Sequence, residues 1–430
     1  MSTPPAPPSV TRIAFASFIG TAIEFYDFYI YGMAAALVIG QVFFPADDPS
    51  TQALSAFLTF AVAFLTRPLG AMLFGHFGDR IGRKATLVAS LLIMGISTTL
   101  IGLLPSYDSI GAWAAVLLCV LRFGQGIGLG GEWGGAALLA TENAPSGQRG
   151  WYGMFPQLGP PVGFLLATGS FLLLAEFLTE QEFKAWGWRL PFLASSVLVA
   201  VGLYVRLAIA ETPVFASVLN QHQRVAMPLK TVLQQHYKPL VLGALAMVVC
   251  YALFYIATVF SLSYGTTTLH IPRPQFLGML CIAVVFMAAA TPLAAWAGDR
   301  FGRRRVLLVA GSAAWLSGFA LQPMLDSGSP VLITAFLALE LFLMGATFAP
   351  MGALLPELFP PELRYTGAGT AYNLGGILGA SFAPYIAQRL VDTGGLAWVG
   401  GYVSVAAAIS VLALLLMTEN QAKDWLKPVP

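Results

Sequence analysis

Gly75-His76-Phe77-Gly78-Asp79-Arg80-Ile81-Gly82-Arg83-Lys84 returns 220 residues later as Ala295-Trp296-Ala297-Gly298-Asp299-Arg300-Phe301-Gly302-Arg303-Arg304, in a chain of 430 residues. The shared core is Gly-Asp-Arg-x-Gly-Arg followed by Lys or Arg. A second pair, Glu142 to Arg149 and Glu357 to Arg364, has the form Glu-x-x-Pro-x-x-x-Arg and a step of 215 residues. Both steps are close to half the chain, and every copy lies beside long apolar segments. The chain therefore reads as two equivalent halves.

The composition says what surrounds those halves. Hydrophobic residues make up 57% and charged residues 10%, against about 25% charged in soluble domains. A spanning helix needs about 20 mostly apolar residues. Segments that satisfy this lie at roughly 13–42, 53–75, 85–104, 112–136, 150–175, 190–210, 239–263, 275–297, 306–325, 331–355, 367–391 and 398–418. The apolar runs are continuous and do not alternate, which argues against a closed barrel. The expected fold is an all-α membrane protein. Its twelve transmembrane helices form two six-helix pseudo-symmetric bundles, 1–210 and 239–430, joined by a polar connector at 211–238 that is either a plain tether or a short surface helix. Such paired repeats are the architecture by which secondary transporters alternate access to a central site.

Orientation follows from Lys and Arg. One set of loops carries Arg12, Arg80, Arg83, Lys84, Arg149, Arg224, Lys230, Lys238, Arg300, Arg303, Arg304, Arg305, Arg364, Lys423 and Lys427; the other carries only Lys184, Arg189, Arg273 and Arg389. Short basic loops stay in the cytoplasm, so both termini and the connector are expected there. The Pro-rich stretch Met1 to Pro8 reads as disordered. The first apolar segment is too long for a signal-peptide core and is interrupted by Glu24 and Asp27, so it is expected to be retained. Cys119, Cys250 and Cys281 lie within apolar segments without metal-ligand spacing, and no metal or cofactor is expected.

Charges inside the apolar segments are the candidate site, because each costs about 2.5–3.5 kcal/mol at mid-bilayer. Glu24 and Asp27, at i and i+3 in Ile23-Glu24-Phe25-Tyr26-Asp27-Phe28, share a helix face. Two neighbouring carboxylates in a low dielectric do not both ionise easily, a property that suits proton handling; a fixed acid held by an arginine is the structural alternative. Arg122, in Arg122-Phe123-Gly124-Gln125-Gly126, can hold a carboxylate bidentately: Asp27 in the empty state, a substrate acid in the loaded state, or a permanent interhelical partner. Glu340 is either a second protonation site or a buried neutral acid. Arg67 and Glu132 read as gating or snorkelling residues near the cytoplasmic ends of their spans. Tyr26, Gln125, Gln157, Tyr255, Tyr372 and Asn373 complete a candidate pocket. Pro156, Pro160, Pro161 and Pro384 are expected to kink their helices.

The repeated loops form a candidate cytoplasmic gate of Asp79, Arg80, Arg83, Glu132, Glu142, Arg149, Asp299, Arg300, Arg303, Glu357 and Arg364. Topology signals and headgroup contact explain the positive charge but not an Asp at the same place in both copies. A carboxylate there can cap a neighbouring helix N-terminus and pair with Arg.

At these residues the chain resembles the major facilitator superfamily, through the Gly-x-Phe-Gly-Asp-Arg-x-Gly-Arg-Lys loop, its degenerate second copy, and Arg122-Phe123-Gly124-Gln125-Gly126, whose Arg the resemblance links to proton coupling. Gly130-Gly131-Glu132-Trp133-Gly134-Gly135, Trp186-Gly187-Trp188-Arg189-Leu190-Pro191-Phe192, Glu211-Thr212-Pro213-Val214-Phe215 and Leu355-Pro356-Glu357-Leu358-Phe359-Pro360 are similar to its metabolite:proton symporter branch, which carries shikimate, α-ketoglutarate, citrate and proline/betaine. That resemblance implies a bacterial inner-membrane carrier that works as a monomer. Gly153 to Phe164 partly resembles the antiporter motif of span 5, but Gly163-Phe164 replaces its closing Gly-Gly. The reading is a proton-coupled importer of a small polar metabolite, an organic acid; a proton/drug antiporter is the alternative. The partners are substrate, proton and lipid bilayer, not nucleic acid. No nucleophile–base or metal-ligand constellation marks an enzyme.

Overall fold

The computed structural model describes residues 10–44, 49–81, 83–145, 147–208, 228–360 and 363–417, and for 12–13, 49, 75–81, 83–87, 205–208 and 228 it describes the backbone alone. The described residues are helical, without strands. Twelve rods run in order: α1 (10–43), α2 (Pro49–Ile81), α3 (Arg83–Leu103), α4 (Trp113–Glu142), α5 (Arg149–Phe177), α6 (Leu190–Ala208), α7 (Tyr237–Thr267), α8 (Arg273–Phe301), α9 (Arg303–Leu325), α10 (Pro330–Glu357), α11 (364–394) and α12 (Leu396–Leu416). Ten helices among the described residues are long and apolar enough to cross a membrane. The two rods outside that set are α3, whose described apolar part is Val88–Leu103, and α11, which carries Arg364, Asn373 and Asp392. Part of the polar connector, Pro228–Gln235, is a helix; Met1 to Ser9 and 209–227 lie outside the described residues.

The apolar pattern explains the outer surface. Leu58, Leu65 and Met72 recur every seven residues on α2 and are exposed, as are Val309 and Leu316 on α9 and Val405 and Leu412 on α12. An apolar exterior of this extent is stable only against lipid. The interior is aromatic and small-residue rich, with Phe28, Phe57, Phe60, Phe64, Phe164 and Phe254 buried.

The internal repeat is visible in the irregularities of the rods. A π-helical turn at Ala35–Ile39 in α1 has its counterpart at Ile256–Phe260 in α7, 221 positions on. The break at Gly131-Glu132 in α4 matches that at Ala349-Pro350 in α10. The break at Leu158 in α5, between Pro156 and Pro160, matches the π-turn Ile377–Ser381 of α11 just before Pro384. Proline removes an i→i−4 hydrogen bond and π-turns loosen the ladder, so these are the bending points. Across the two bundles, α2 packs on α11 and α5 on α8, which are the same pairing under a six-helix shift.

Glycines let α4 lie directly on α2. A Cβ at Gly126 would come 1.9 Å from Thr66 Oγ1 and one at Gly130 would come 2.0 Å from the Arg67 carbonyl oxygen. Backbone cannot give way as a side-chain tip can, so Gly130→Leu is expected to exceed the usual overpacking penalty of about 1–3 kcal/mol. Monodisperse yield after detergent extraction and the unfolding temperature will both fall. In the second signature, Gly302 at φ 96° forms the whole link between α8 and α9. Only glycine takes that conformation without strain, which explains the Gly of Gly-Asp-Arg-x-Gly-Arg.

Candidate functional site

The centre of the molecule lies where α1, α2 and α4 meet α7 and α11. Asp27 is 1% exposed and neither carboxylate oxygen has a hydrogen-bond partner. Ser195 of α6 is the neighbouring hydroxyl but is outside bonding geometry. Glu24, one turn earlier, is buried too. Tyr26 faces away from the centre and donates its hydroxyl to the Pro191 carbonyl at 3.0 Å, tying α1 to α6.

Arg122 does not hold Asp27 in this structure, contrary to the expectation for the empty state. Its Nη1 donates to Gln125 Oε1 at 2.6 Å and its Nε to the Thr59 carbonyl at 3.4 Å, and its guanidinium lies 3.7 Å from the Tyr31 ring centroid. Gln125 passes the network on to Thr98 Oγ1 at 2.7 Å. The i, i+3 spacing of Arg122 and Gln125 on one helix makes this local pair available, so both expected pocket groups are largely occupied within the first bundle. Only Arg122 Nη2 is left without a partner.

Arg67 corrects the sequence expectation more strongly. It neither snorkels nor lies at a helix end: it is 1% exposed, with its guanidinium 4.0 Å from the Phe64 centroid and 4.4 Å from Phe28. Its Nε and Nη2 have no partner. Tyr251 and Tyr255 of α7 and Tyr372 of α11 lie within its electrostatic reach from the other bundle. Contacts with ring faces return about 2 kcal/mol when desolvated, against several kcal/mol for burying an unpaired ion. Tyr29, Tyr251 and the position of Arg67 were not read from the sequence. The i, i+4 repeat Tyr251/Tyr255, which places two phenols on one face, was the signal available.

In the second bundle Glu340 is fully buried, with Ser317 of α9 beside it and no hydrogen-bond partner on either oxygen. Gln157 and Asn373, expected in the pocket, instead join the two bundles. Gln157 Nε2 donates to the Phe348 carbonyl at 3.0 Å while its Oε1 accepts from Trp133 Nε1 at 3.0 Å. Asn373 Nδ2 donates to the Gly130 carbonyl at 3.2 Å, and Trp133 stacks on Tyr372 at 4.1 Å. The glycines of the antiporter-like stretch serve packing: a Cβ at Gly163 would come 2.7 Å from the Ala22 carbonyl oxygen on α1.

At the basic end, Asp299 of α8 caps the N-terminus of α5 in the opposite bundle. Its Oδ1 accepts from Gly150 N–H at 2.9 Å and its Oδ2 from Trp151 N–H at 2.8 Å. A Cβ at Gly150 would come 2.5 Å from Oδ1, so glycine admits the carboxylate. The free amides and partial positive charge of a helix start favour an anion there. Arg303 holds Asp299 from behind at 3.1 Å and also pairs with Glu357; Arg149 and Arg364 add their charge beside Glu357. Arg364 Nε also donates to the Phe359 carbonyl at 3.2 Å. Arg300 lies instead over Trp296 and Phe301. Glu132 is buried at the break of α4 and Glu142 ends that rod. The side chains of Asp79, Arg80 and Arg83 lie outside the described residues.

At the opposite end a cavity of 430 Å³ separates the bundles, lined by residues that include Gln41, Gln52, Lys184, Ser263, Thr266 and Arg273. Glu180 stands at its mouth, 2.7 Å from Lys184 and 3.8 Å from Arg273 of the other bundle. The hydrogen bond from Lys184, then its charge, holds the Glu180 carboxyl below the usual carboxylate range. Ser50 bridges to Asp392 at 2.8 Å. The structure is thus latched by buried helix-end contacts at the basic end and enclosed by exposed ion pairs around a polar cavity at the other.

Two pseudo-symmetric six-helix bundles around a buried charged centre define a membrane transporter. Residues 13–240 match the model of the "Sugar (and other) transporter" family and 247–430 that of the "Major Facilitator Superfamily". The chain is 53% identical over 418 residues to the inner membrane metabolite transport protein YhjE of Escherichia coli K12, covering 96% of this chain and 95% of that one. It is 40% identical to the shikimate transporter of the same organism, covering 95% of each. With the proline/betaine transporter of Escherichia coli K12 it shares 33% identity over 94% of this chain and 83% of the other. Its fold superposes on the partially occluded inward-open xylose transporter XylE from E. coli with a TM-score of 0.73 at 17% identity, covering 96% and 99% of the two chains. The chain belongs to the major facilitator superfamily and is a multi-pass membrane transporter of metabolites.

Proposed function

We propose that this protein is a proton-coupled symporter that brings a small organic acid across a bacterial inner membrane by alternating access. The observation that carries this reading is Asp27, a carboxylate buried at the centre of α1 with neither oxygen hydrogen-bonded. Such a group is stable only if it takes up a proton or meets a mobile cation. Glu24 relays to it and Glu340 is a second acid of the same kind in the other bundle. Shikimate, proline and betaine, named for two of the relatives, share one chemical feature, a single carboxylate. A buried arginine suits that group.

Lys and Arg cluster on one end, which is therefore cytoplasmic, with both termini. The 430 Å³ cavity then opens toward the periplasm and the Asp299 latch closes the cytoplasmic side. Each bundle supplies half of the pathway within one chain, so a monomer suffices. A monoanion moved with one proton draws only on the pH gradient, about 1.4 kcal/mol per unit, and its uptake is insensitive to membrane potential. A zwitterion with one proton also draws on the potential, about 2.3 kcal/mol per 100 mV.

Proteoliposomes holding a pH-sensitive dye test this reading. Addition of shikimate, proline, glycine betaine or a panel of organic acids is expected to acidify the lumen for at least one compound, and xylose is the neutral control. Proton release driven by lipophilic cations, with no response to any acid, would replace symport with the antiport alternative.

A further inference from the structure

We infer that Arg67, not Arg122, is the residue that binds the carboxylate of the substrate, in a cage of aromatic rings shared by the two bundles. This inference rests on the organic-acid reading above.

The backbone at Arg67 is clamped on one side, where α4 lies against its carbonyl through Gly130. Pro68 follows it inside the helix and donates no N–H. The guanidinium is held by Phe28 and Phe64 of the first bundle. From the second, Tyr255, whose ring lies 5.5 Å from that of Phe64, brings its hydroxyl beside the guanidinium, and Tyr372 lies within its electrostatic reach. Among the described residues no carboxylate pairs with it, and Nε and Nη2 are unpartnered although the side chain is 1% exposed. A guanidinium stays charged in any protein environment, so the missing anion has to arrive from outside. Arg122 is less available, since Gln125, Thr59 and Tyr31 engage it within one bundle. It reinforces the demand for an anion all the same: both guanidinium carbons lie within 5.2 Å of the Phe28 centroid, two like charges around one ring. A carboxylate on Arg67 touches groups of both bundles at once, which a ligand must do to couple binding to their relative movement. The rings select a small monocarboxylate with an apolar or ring-shaped body.

The test is substrate exchange in proteoliposomes, which needs no net proton flow, using radiolabelled shikimate, proline and glycine betaine and the primary amides of the first two. The wild type is expected to take up one acid and to discriminate against its amide. Arg67→Gln should raise the KM for the acid about 100-fold, as removal of one partner of a buried charge pair does, and abolish the discrimination. Arg67→Lys, the fallback should the Gln variant not fold, should restore part of it, because the charge returns without the bidentate fork. Arg122→Gln should leave the acid-to-amide ratio within a few-fold of wild type. A ratio unchanged in both Arg67 variants, or lost in Arg122→Gln alone, overturns the inference. Equal uptake of acid and amide by the wild type also overturns it. No exchange of any acid by the wild type defeats the organic-acid reading itself, and this inference with it.

Discussion

Asp27→Asn is expected to abolish substrate-driven proton entry, by at least about 100-fold, while exchange of labelled substrate across the membrane survives. Proton coupling needs a group that changes charge, and an amide of the same shape does not. Exchange needs only binding and the movement of the loaded carrier. The two rates should therefore separate in one preparation. The variant should also unfold no earlier than wild type, because the Asp27 oxygens have no partner to lose and an unpaired buried charge is itself destabilising. Loss of both rates with an unchanged unfolding temperature would make Asp27 a substrate ligand and move the proton to Glu24 or Glu340, which Glu340→Gln separates in the same assay.

Asp299→Ala is expected to open the basic end. The two amide hydrogen bonds to Gly150 and Trp151 have an ionised acceptor, and such bonds contribute about 1.5–3 kcal/mol each. They exist only while the bundles are closed on that side. Two such bonds amount to about 3–6 kcal/mol, so losing them from one state shifts the population more than about 100-fold toward the other even at the lower figure. A cysteine placed at Ala353, buried between α10 and α5, should react with a membrane-impermeant maleimide much faster in the variant, from the basic face only. Unchanged labelling would make the cap a passive structural contact. Asp299→Asn is the finer instrument, since it removes the charge but leaves one acceptor oxygen for the amides.

Much of the architecture is local and periodic, and so was open to reading from the sequence. The apolar runs, the duplicated Gly-Asp-Arg-x-Gly-Arg loop and the one-sided distribution of Lys and Arg each report a property of a segment by itself: its length, its turn, its side of the membrane. Gly302 is legible for the same reason, because a glycine at that place in the signature marks a tight link, and φ 96° is open to glycine without strain. The prolines of α5 and α11 likewise announced where those rods bend. One segment is less apolar than the rest: α11 carries Arg364, Asn373 and Asp392, and it is held as a rod by packing on α2 and α7.

The charged centre was less legible. Glu24, Asp27, Arg122 and Glu340 stood out because an ion in an apolar run is conspicuous, but which of them meet depends on helix rotation and depth, and pairs far apart in sequence settle those. Arg122 turned to Gln125 on its own helix, not to Asp27. Gln157 and Asn373 turned to the backbone of the opposite bundle. Arg67, read as a gating or snorkelling residue from its place toward the end of its span, is buried among aromatic rings from both bundles, because Gly126 and Gly130 draw α4 onto one face of α2 while α11 and the tyrosines of α7 cover another. The sequence by itself determined that this chain spans a membrane as two related halves with a few ions sealed inside. Only the tertiary structure decided which of those ions are satisfied, since satisfaction is a matter of a few ångströms between helices that no local pattern records.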